Sequence, residues 1–196
     1  MKKLVKILGL LLVAGALFVG CKQNVDIDAD KIELSNGTWD ITYTTSGTAS
    51  EMGLTGTVEA TSKEAIKVSG DTYTYLSSSY SVKFTVDCGS ADAAAAAKAE
   101  LEAVFAAAGE EDMPSVSVSG SKLVLTSTET SDADEIAAMN EEENLVSEFT
   151  GALPEGATLK RNKSKTEYKL TFVRKADPDD EDDADMNITV TIKKRK

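Results

Sequence analysis

The sequence predicts a mainly β fold of the α+β class, in which one or two helices interrupt eight to ten short antiparallel strands. From residue 37 onward, apolar and polar residues mostly alternate with a period of two, which is typical of strands half-buried in a sheet. The period becomes helical in only two stretches, 90–109 and 132–150. Turn-like segments separate neighbouring strands, so we expect hairpin connections.

Three arrangements of such a sheet agree with the alternating pattern. It favours an antiparallel β-barrel or a strongly curved sheet, because a sheet closed or folded on itself hides its apolar face. An open antiparallel sheet covered by the helices and a β-sandwich remain as alternatives.

The first half of the domain is predicted to be a β-meander. Its first strand places Trp39, Ile41 and Tyr43 on one face and threonines on the other. Further strands follow from the same pattern, with Ser69, Gly70 and Asp71 forming a turn. The predicted segments are 37–44, 54–61, 64–69, 72–76 and 80–86.

The helical stretches carry their own start and stop signals. Ser90 and Asp92 are candidates for the cap of the first helix, and Gly109 is expected to end it. Its apolar stripe is expected to be Ala97, Leu101, Val104, Phe105 and Ala108. The second helix is predicted to begin at the acidic segment 131–134. The remaining strands are predicted at 116–125, as a hairpin, and at 157–162, 168–172 and 188–192.

The first twenty residues have the pattern of an export signal. Lysines at positions 2, 3 and 6 precede an apolar run from Ile7 to Gly20, which is shorter than the roughly 20 residues that span a bilayer as a helix. The run leads directly into Cys21, and the segment 18–21 resembles the lipobox of bacterial lipoproteins.

The lipobox resemblance implies that the chain is cut before Cys21 and that this cysteine carries the lipid. Several acyl chains on one cysteine make membrane attachment durable. The expected organisation is a cleaved signal peptide at 1–20, a lipidated cysteine and tether at 21–36, and one β-rich domain at 37–196. We expect the cell envelope as location. In some bacteria, lipoproteins with a residue other than aspartate after the lipidated cysteine are sorted to the outer membrane. Because Lys22 follows Cys21, the resemblance favours the outer membrane or cell surface over the inner membrane.

Composition excludes several classes of function. The formal net charge of −12 disfavours binding to nucleic acid and to anionic lipid. The chain has no histidine, which removes histidine-based catalytic triads and metal sites. If Cys21 carries lipid, Cys88 has no disulfide partner in the chain. No catalytic residue, cofactor or resident metal is predicted, and the domain is expected to be non-enzymatic.

The segment Gly37 to Trp39 resembles the G-x-W signature of lipocalin-like barrels, whose tryptophan plugs one end of the barrel. This resemblance implies a carrier of a small apolar ligand, with a cavity lined by Trp39, Tyr43 and Val58. The small residues Gly56 and Ala60 leave room for such a cavity. The same aromatic and apolar residues fit an ordinary core equally well.

One acidic segment suggests calcium, because oxygen ligands recur there at every second position. Neither the central glycine nor the final glutamate of an EF-hand loop is present, and a solvated loop between two strands is the competing interpretation. The acidic residues concerned are Asp177, Asp179, Glu181, Asp183 and Asp185.

Two functions therefore remain open for an anchored, non-enzymatic domain. One is the carrier of a small apolar ligand. The other is a surface interaction module that binds a protein or matrix partner through loops or a sheet edge. The module predicts a filled core and an exposed patch, which the second helix could supply. The oligomeric state is left open.

Overall fold

The computed structural model describes residues 27–51, 53–108, 113–142, 153–176 and 184–196. These residues form nine strands and two helices. The strands are β1 (Ile27–Asp28), β2 (Gly37–Glu51), β3 (Leu54–Ser69), β4 (Thr72–Asp87), β5 (Ser115–Ser119), β6 (Lys122–Thr130), β7 (Thr158–Arg161), β8 (Glu167–Arg174) and β9 (Met186–Lys194). The helices are α1 (Ala91–Ala108) and α2 (Ala133–Glu142).

All described strands belong to one antiparallel sheet with the order β1-β7-β8-β9-β2-β3-β4-β6-β5. The two-residue strand β1 is the ninth member of what is otherwise an eight-stranded sheet. The predicted mainly β, antiparallel fold with two inserted helices is confirmed.

The predicted closed barrel or strongly curved sheet is wrong, because the sheet is neither closed nor strongly curled. Its outermost strands are short: β1 has two residues and β5 has five, whereas β2, β3 and β4 have fifteen or sixteen. Short outer strands offer little backbone for pairing with each other. The two helices pack against the apolar face, which a barrel would have buried in its interior.

The central strands are longer than the alternating pattern predicts. The predicted strands 54–61 and 64–69 are one strand, β3, because the polar Ser62 and Glu64 interrupt the apolar pattern but not the pairing with β2. The predicted strands 72–76 and 80–86 likewise join into β4, in which Leu76 is an extra residue relative to β3. A β-bulge of this kind moves the following side chains to the opposite face. The alternation of β4 therefore breaks in the sequence although the strand continues.

One face of the sheet, here called the apolar face, carries both hydrophobic clusters of the described chain. Trp39, Ile41 and Tyr43 lie on this face of β2, as the sequence predicts. The buried side chains form two clusters. The first contains these three residues and apolar side chains from β3, β4 and β7 to β9, and the second lies toward β4, β5 and β6.

Helix α1 covers the second cluster and begins at its predicted cap. The Ser90 hydroxyl accepts a hydrogen bond from the Ala93 amide at 3.1 Å. Phe105 is buried in the cluster, with Ala97 and Leu101 packed against it. Val104 was predicted in the same stripe but is 46% exposed, because the sheet contacts only a narrow strip of the helix. The side chain of Ala108 lies outside the described part of the chain.

Helix α2 contacts the edge of β4 beyond the point where β6 ends. Asp132 and Glu135 form a capping box at its start, since Asp132 Oδ1 accepts the Glu135 amide and Glu135 Oε2 accepts the Asp132 amide, both at 3.0 Å. Asn140 then accepts from the Tyr75 amide at 2.7 Å and donates to its carbonyl at 3.2 Å. Strand β6 pairs with β4 only from Ser79 onward, so Asn140 binds backbone groups that β6 leaves unpaired. Residues 143–150 of the predicted helix lie outside the described chain.

The segment predicted as a tether is partly folded into the domain. Strand β1 pairs with β7, and Ile32 is buried in the first cluster. The Trp39 indole is fully buried and donates a hydrogen bond to the Ser35 carbonyl at 2.8 Å. Trp39 thus closes one end of the first cluster beneath this segment. Described residues before Gly37 therefore contribute a strand and a buried side chain to the packing.

Because the two faces of the sheet differ in burial, we expect substitutions at neighbouring residues of β8 to differ sharply in their effect on stability. Leu170 is fully buried in the first cluster, whereas Thr171 lies on the opposite face. We expect Leu170→Ala to lower the free energy of unfolding by about 2–5 kcal/mol, because it leaves a cavity. Thr171→Ala, the matched control, should cost less than about 1 kcal/mol. Urea unfolding monitored by tryptophan fluorescence measures both, and equal losses would contradict the assignment of the faces.

Candidate functional site

The face opposite the hydrophobic core, here called the polar face, is covered by neither described helix. On β2 it carries threonines 38, 42, 44 and 48 together with Asp40 and Ser46. Both helices contribute their buried side chains to the clusters on the apolar face. The aromatic side chains of the described strands also belong to those clusters.

A continuous row of hydroxyl side chains crosses the polar face. Each member is the direct cross-strand partner of the next, from β7 through β8, β9, β2, β3 and β4 to β6. With strands about 4.8 Å apart, the row extends over roughly 30 Å. We call it the hydroxyl row; its members are Thr158, Thr171, Thr189, Thr44, Thr61, Ser81 and Thr128.

Short, stiff side chains make this row a regular array of hydrogen-bonding groups. Threonine is branched at Cβ and has few accessible χ1 rotamers. Thr44 Oγ1 donates to the Thr189 carbonyl at 2.8 Å, which fixes its hydroxyl in the middle of the row. A hydroxyl that donates one bond still has lone pairs that accept others. The row can therefore bind a polar partner with little loss of side-chain entropy.

Ion pairs flank the hydroxyl row on the same face. Lys83 Nζ lies 2.8 Å from Glu59 Oε2, and this contact lowers the pKa of Glu59. Near the other end of the strands, Arg195 Nε lies 2.8 Å from Asp40 Oδ1, and this ion pair raises the pKa of Arg195. The polar face thus carries ion pairs on both sides of the row, together with lysines such as Lys63 and Lys169 that form no ion pair with a described residue.

The residues predicted to line a ligand cavity are part of the packed core. Trp39 and Tyr43 lie in the first cluster, whereas Val58 lies in the second. All three are on the apolar face and are almost completely buried. The structure thus places them on one side of the sheet but does not bring them into one cluster. Their role in ligand binding stays a prediction.

The space that Gly56 was expected to leave for a ligand is occupied. A Cβ atom built on Gly56 would lie 3.0 Å from two ring carbons of Phe84 and in contact with the Thr85 carbonyl oxygen. Phe84 is the cross-strand partner of Val58 and is buried beside it. Glycine at position 56 thus admits the Phe84 ring into the second cluster.

The other predicted sites lie partly or wholly outside the described residues. Cys21 is among residues 1–26, and residues 177–183 of the acidic loop are also not described. Asp185 is described: it accepts the Ala176 amide at 3.0 Å and pairs with Lys175 at 2.6 Å, which lowers the pKa of Asp185. Among the described residues, no group of three or more acids or cysteines is arranged to hold a metal ion. Cys88 is half-buried against the second cluster.

The segment before β2 is fastened to the β7–β8 turn by a contact that the sequence does not reveal. Glu33 forms ion pairs with Lys165 and, at 3.1 Å, with Lys31. The Tyr168 hydroxyl donates to the Glu33 carbonyl at 2.7 Å, and burial raises the pKa of Tyr168. Lys165 reaches Glu33 from a left-handed backbone conformation with φ of 52°. This contact joins residues far apart in the chain, so no local pattern predicts it.

Neither described helix has the length and apolarity needed to cross a membrane.

The Glu33 ion pairs predict that the stability of the folded state depends on pH in the acidic range. Hydrogen bonds from Lys165 and Lys31 lower the pKa of Glu33 from 4.5 to about 2. A carboxyl whose pKa falls on folding stabilises the folded state above its unfolded pKa, and this contribution is lost as the pH falls from about 4.5 to 2. We expect Lys165→Met to return the pKa toward its ordinary value, and Lys163→Met to leave it unchanged. NMR titration of the Glu33 carboxyl carbon measures this; an unchanged pKa in Lys165→Met would contradict the contact.

Comparison of the chain with known protein families, with curated proteins and with solved structures gives no match. A proposal about function therefore depends on the chain's own sequence and geometry. The two features that bear on it are the lipobox-like segment at 18–21 and the uncovered polar face.

Proposed function

We propose that the protein is an exported bacterial lipoprotein, anchored in the cell envelope through Cys21, with a non-enzymatic domain that binds a partner on its polar face. The charged start, the apolar run at 7–20 and the cysteine that follows it support export and anchoring. The outer membrane or the cell surface is the proposed location. Only residues 22–26 separate the proposed anchor from the first described strand.

The observation that carries the binding proposal is the difference between the two faces of the sheet. The apolar face holds both helices and both clusters, whereas the described elements leave the polar face open. An antiparallel sheet is stable with one face in water, so the open face is free to bind without any rearrangement of the core. The hydroxyl row gives this face a regular set of donors and acceptors.

The chemistry of the polar face defines the kind of partner it suits. Paired hydroxyl groups match a surface rich in hydrogen-bonding groups, as backbone or side-chain amides of a protein or the hydroxyls of a matrix polymer provide. The net negative charge of the chain disfavours nucleic acid. We therefore propose a surface interaction module that binds a protein or matrix partner.

A carrier of a small apolar ligand is the alternative that the G-x-W segment suggested. It requires an apolar cavity, and the described residues proposed to line one are packed in two separate clusters. The Phe84 ring also fills the space beside Gly56. The packing of these residues thus favours the interaction module. On the second helix, Ile136 and Met139 pack on the first cluster, and an exposed patch on its outer side stays a prediction of the interaction module.

The anchor predicts a mass increase that depends on one of the two cysteines. We expect the chain extracted from bacterial membranes to have the mass of residues 21–196 plus that of the attached lipid. Cys21→Ala should lose both the added mass and the membrane association, because the thiol that carries the lipid is gone. Cys88→Ala, the matched control, should keep both. An intact mass showing an uncleaved or unlipidated wild-type chain would sink the proposed anchor.

The filled core predicts that no small apolar molecule travels with the domain. We expect the membrane-extracted chain to show the same mass in native and in denaturing spectra, apart from detergent that gas-phase activation removes. The covalent lipid stays in both spectra and serves as an internal control. A further apolar molecule, released only on unfolding, would contradict the interaction module and support the carrier.

A further inference from the structure

The two ends of the sheet differ in charge. We call the end where β7 and β9 finish and where β2 and β8 begin the basic end. The acids Glu33, Asp40 and Glu167 at this end each lie in an ion pair with a lysine or arginine. Asp71, in the β3–β4 turn, and Glu141, next to Asn140 at the end of α2, add further negative charges. The cations that define the basic end are Lys67, Lys163, Lys165, Lys194, Arg195 and Lys196.

Several of these cations are available for a partner outside the chain. Lys67, Lys163 and Lys196 form no ion pair with any residue that the structure describes. All three are exposed. Lys194 donates to the neutral Ser35 hydroxyl at 2.8 Å and also lies over the Trp39 ring, so its charge is not neutralised.

The acidic segment of the sequence connects two strands at the opposite end of the sheet. Strand β8 finishes there and β9 begins there, and residues 176–185 between them read ADPDDEDDAD. Lys175 and Asp185 pair where this segment leaves and rejoins the sheet. The acids of this segment therefore join the sheet at the end away from the basic end, and they account for much of the net negative charge.

The chain joins the sheet at its basic end. Strand β1 runs antiparallel to β7, with Ile27 opposite Arg161 and Asp28 opposite Lys160. The residues before Ile27 are therefore attached at the end where β7 finishes. Five residues lie between Cys21 and Ile27, so even a fully extended chain spans only about 20 Å between these two positions.

We propose that the basic end binds the anionic headgroups of the membrane in which Cys21 is anchored, so that the sheet stands on this end with its opposite end away from the lipid. This inference rests on the proposed lipid anchor. The short connection holds the basic end near the lipid surface, and basic residues close to an anionic bilayer are attracted to it. The attraction decays over about 8 Å at physiological salt, so the distant acids add little repulsion.

This orientation explains how an acidic chain can favour an anionic surface. Net charge describes the field far from the molecule, where the excess of acids dominates. At the membrane, only charges within about a Debye length of the headgroups count. The sequence-based expectation of repulsion from anionic lipid therefore does not apply to the basic end.

The test measures which end of the sheet lies near the lipid. Lipidated chain is extracted from membranes and reconstituted into vesicles of phosphatidylcholine alone or mixed with phosphatidylglycerol. A fluorophore is attached at Ser164→Cys, in the β7–β8 turn, or at Ser119→Cys, at the far end of β5, each with Cys88→Ala. Energy transfer to an acceptor on the lipid headgroups reports the distance. We expect stronger transfer from Ser164→Cys when phosphatidylglycerol is present, a loss of this increase at high salt, and no increase from Ser119→Cys.

Charge reversal provides the matched variants. Lys163→Glu combined with Lys196→Glu should abolish the increase from Ser164→Cys, because both changes place acids at the basic end. Lys122→Glu, an equally exposed lysine near the opposite end, should leave the increase intact. Circular dichroism checks that each variant folds like the parent chain.

Two outcomes would overturn the proposal and can be told apart. Lipidated chain that shows equal transfer in both kinds of vesicle, or that loses the increase through Lys122→Glu as well, overturns the orientation and leaves the anchor standing. Chain whose intact mass shows no lipid overturns the anchor and the orientation together.

Discussion

The fold depends on one constraint: every long strand presents its apolar side chains to the same face of the sheet. Along β2 the odd-numbered residues from Trp39 to Tyr43 are buried, and the intervening threonines are not. Burying such a face requires either closure of the sheet or a covering layer. Here α1 covers one cluster, and α2 with the segment before β2 covers part of the other. The described elements therefore leave the polar face uncovered.

Local patterns in the sequence predicted the strands and the helix starts, which depend on residues close together in the chain. The alternating period identified the strands, and the caps at Ser90 and Asp132 marked the two helix starts. The bulge at Leu76 was missed, because an extra residue in a strand looks like the end of one strand and the start of another. The choice between an open and a closed sheet also failed, since both give the same alternation.

The candidate site was harder to predict than the fold for a related reason. Threonines on single strands are visible in the sequence, but the hydroxyl row exists only through the register of seven adjacent strands. The sequence instead drew attention to Trp39, Tyr43 and Val58, whose apolar character fits a core as well as a cavity. Aromatic residues on alternating positions cannot separate these two roles, because either role buries them.

The restriction of the core to one face of the sheet also relates the proposed anchor to the proposed binding surface. In a sheet that stands on its basic end beside the anchor, the strands run roughly along the membrane normal and the two faces point sideways, parallel to the membrane plane. The helices cover one face, which leaves the polar face accessible to a partner in the envelope. The core can then remain fully packed while the domain binds, so stability and binding use different faces of one sheet.

The central claim, that the polar face is the binding surface, is tested most directly by thiol labelling in place. Ser81→Cys puts a thiol on the hydroxyl row and Ala99→Cys puts one on the exposed side of α1, each combined with Cys88→Ala. Labelling rates are compared between isolated cell envelopes and purified chain. If the polar face binds a partner, we expect Ser81→Cys to react more slowly in envelopes than in purified chain, and Ala99→Cys to react equally fast in both. Equal rates for Ser81→Cys in the two preparations would contradict it.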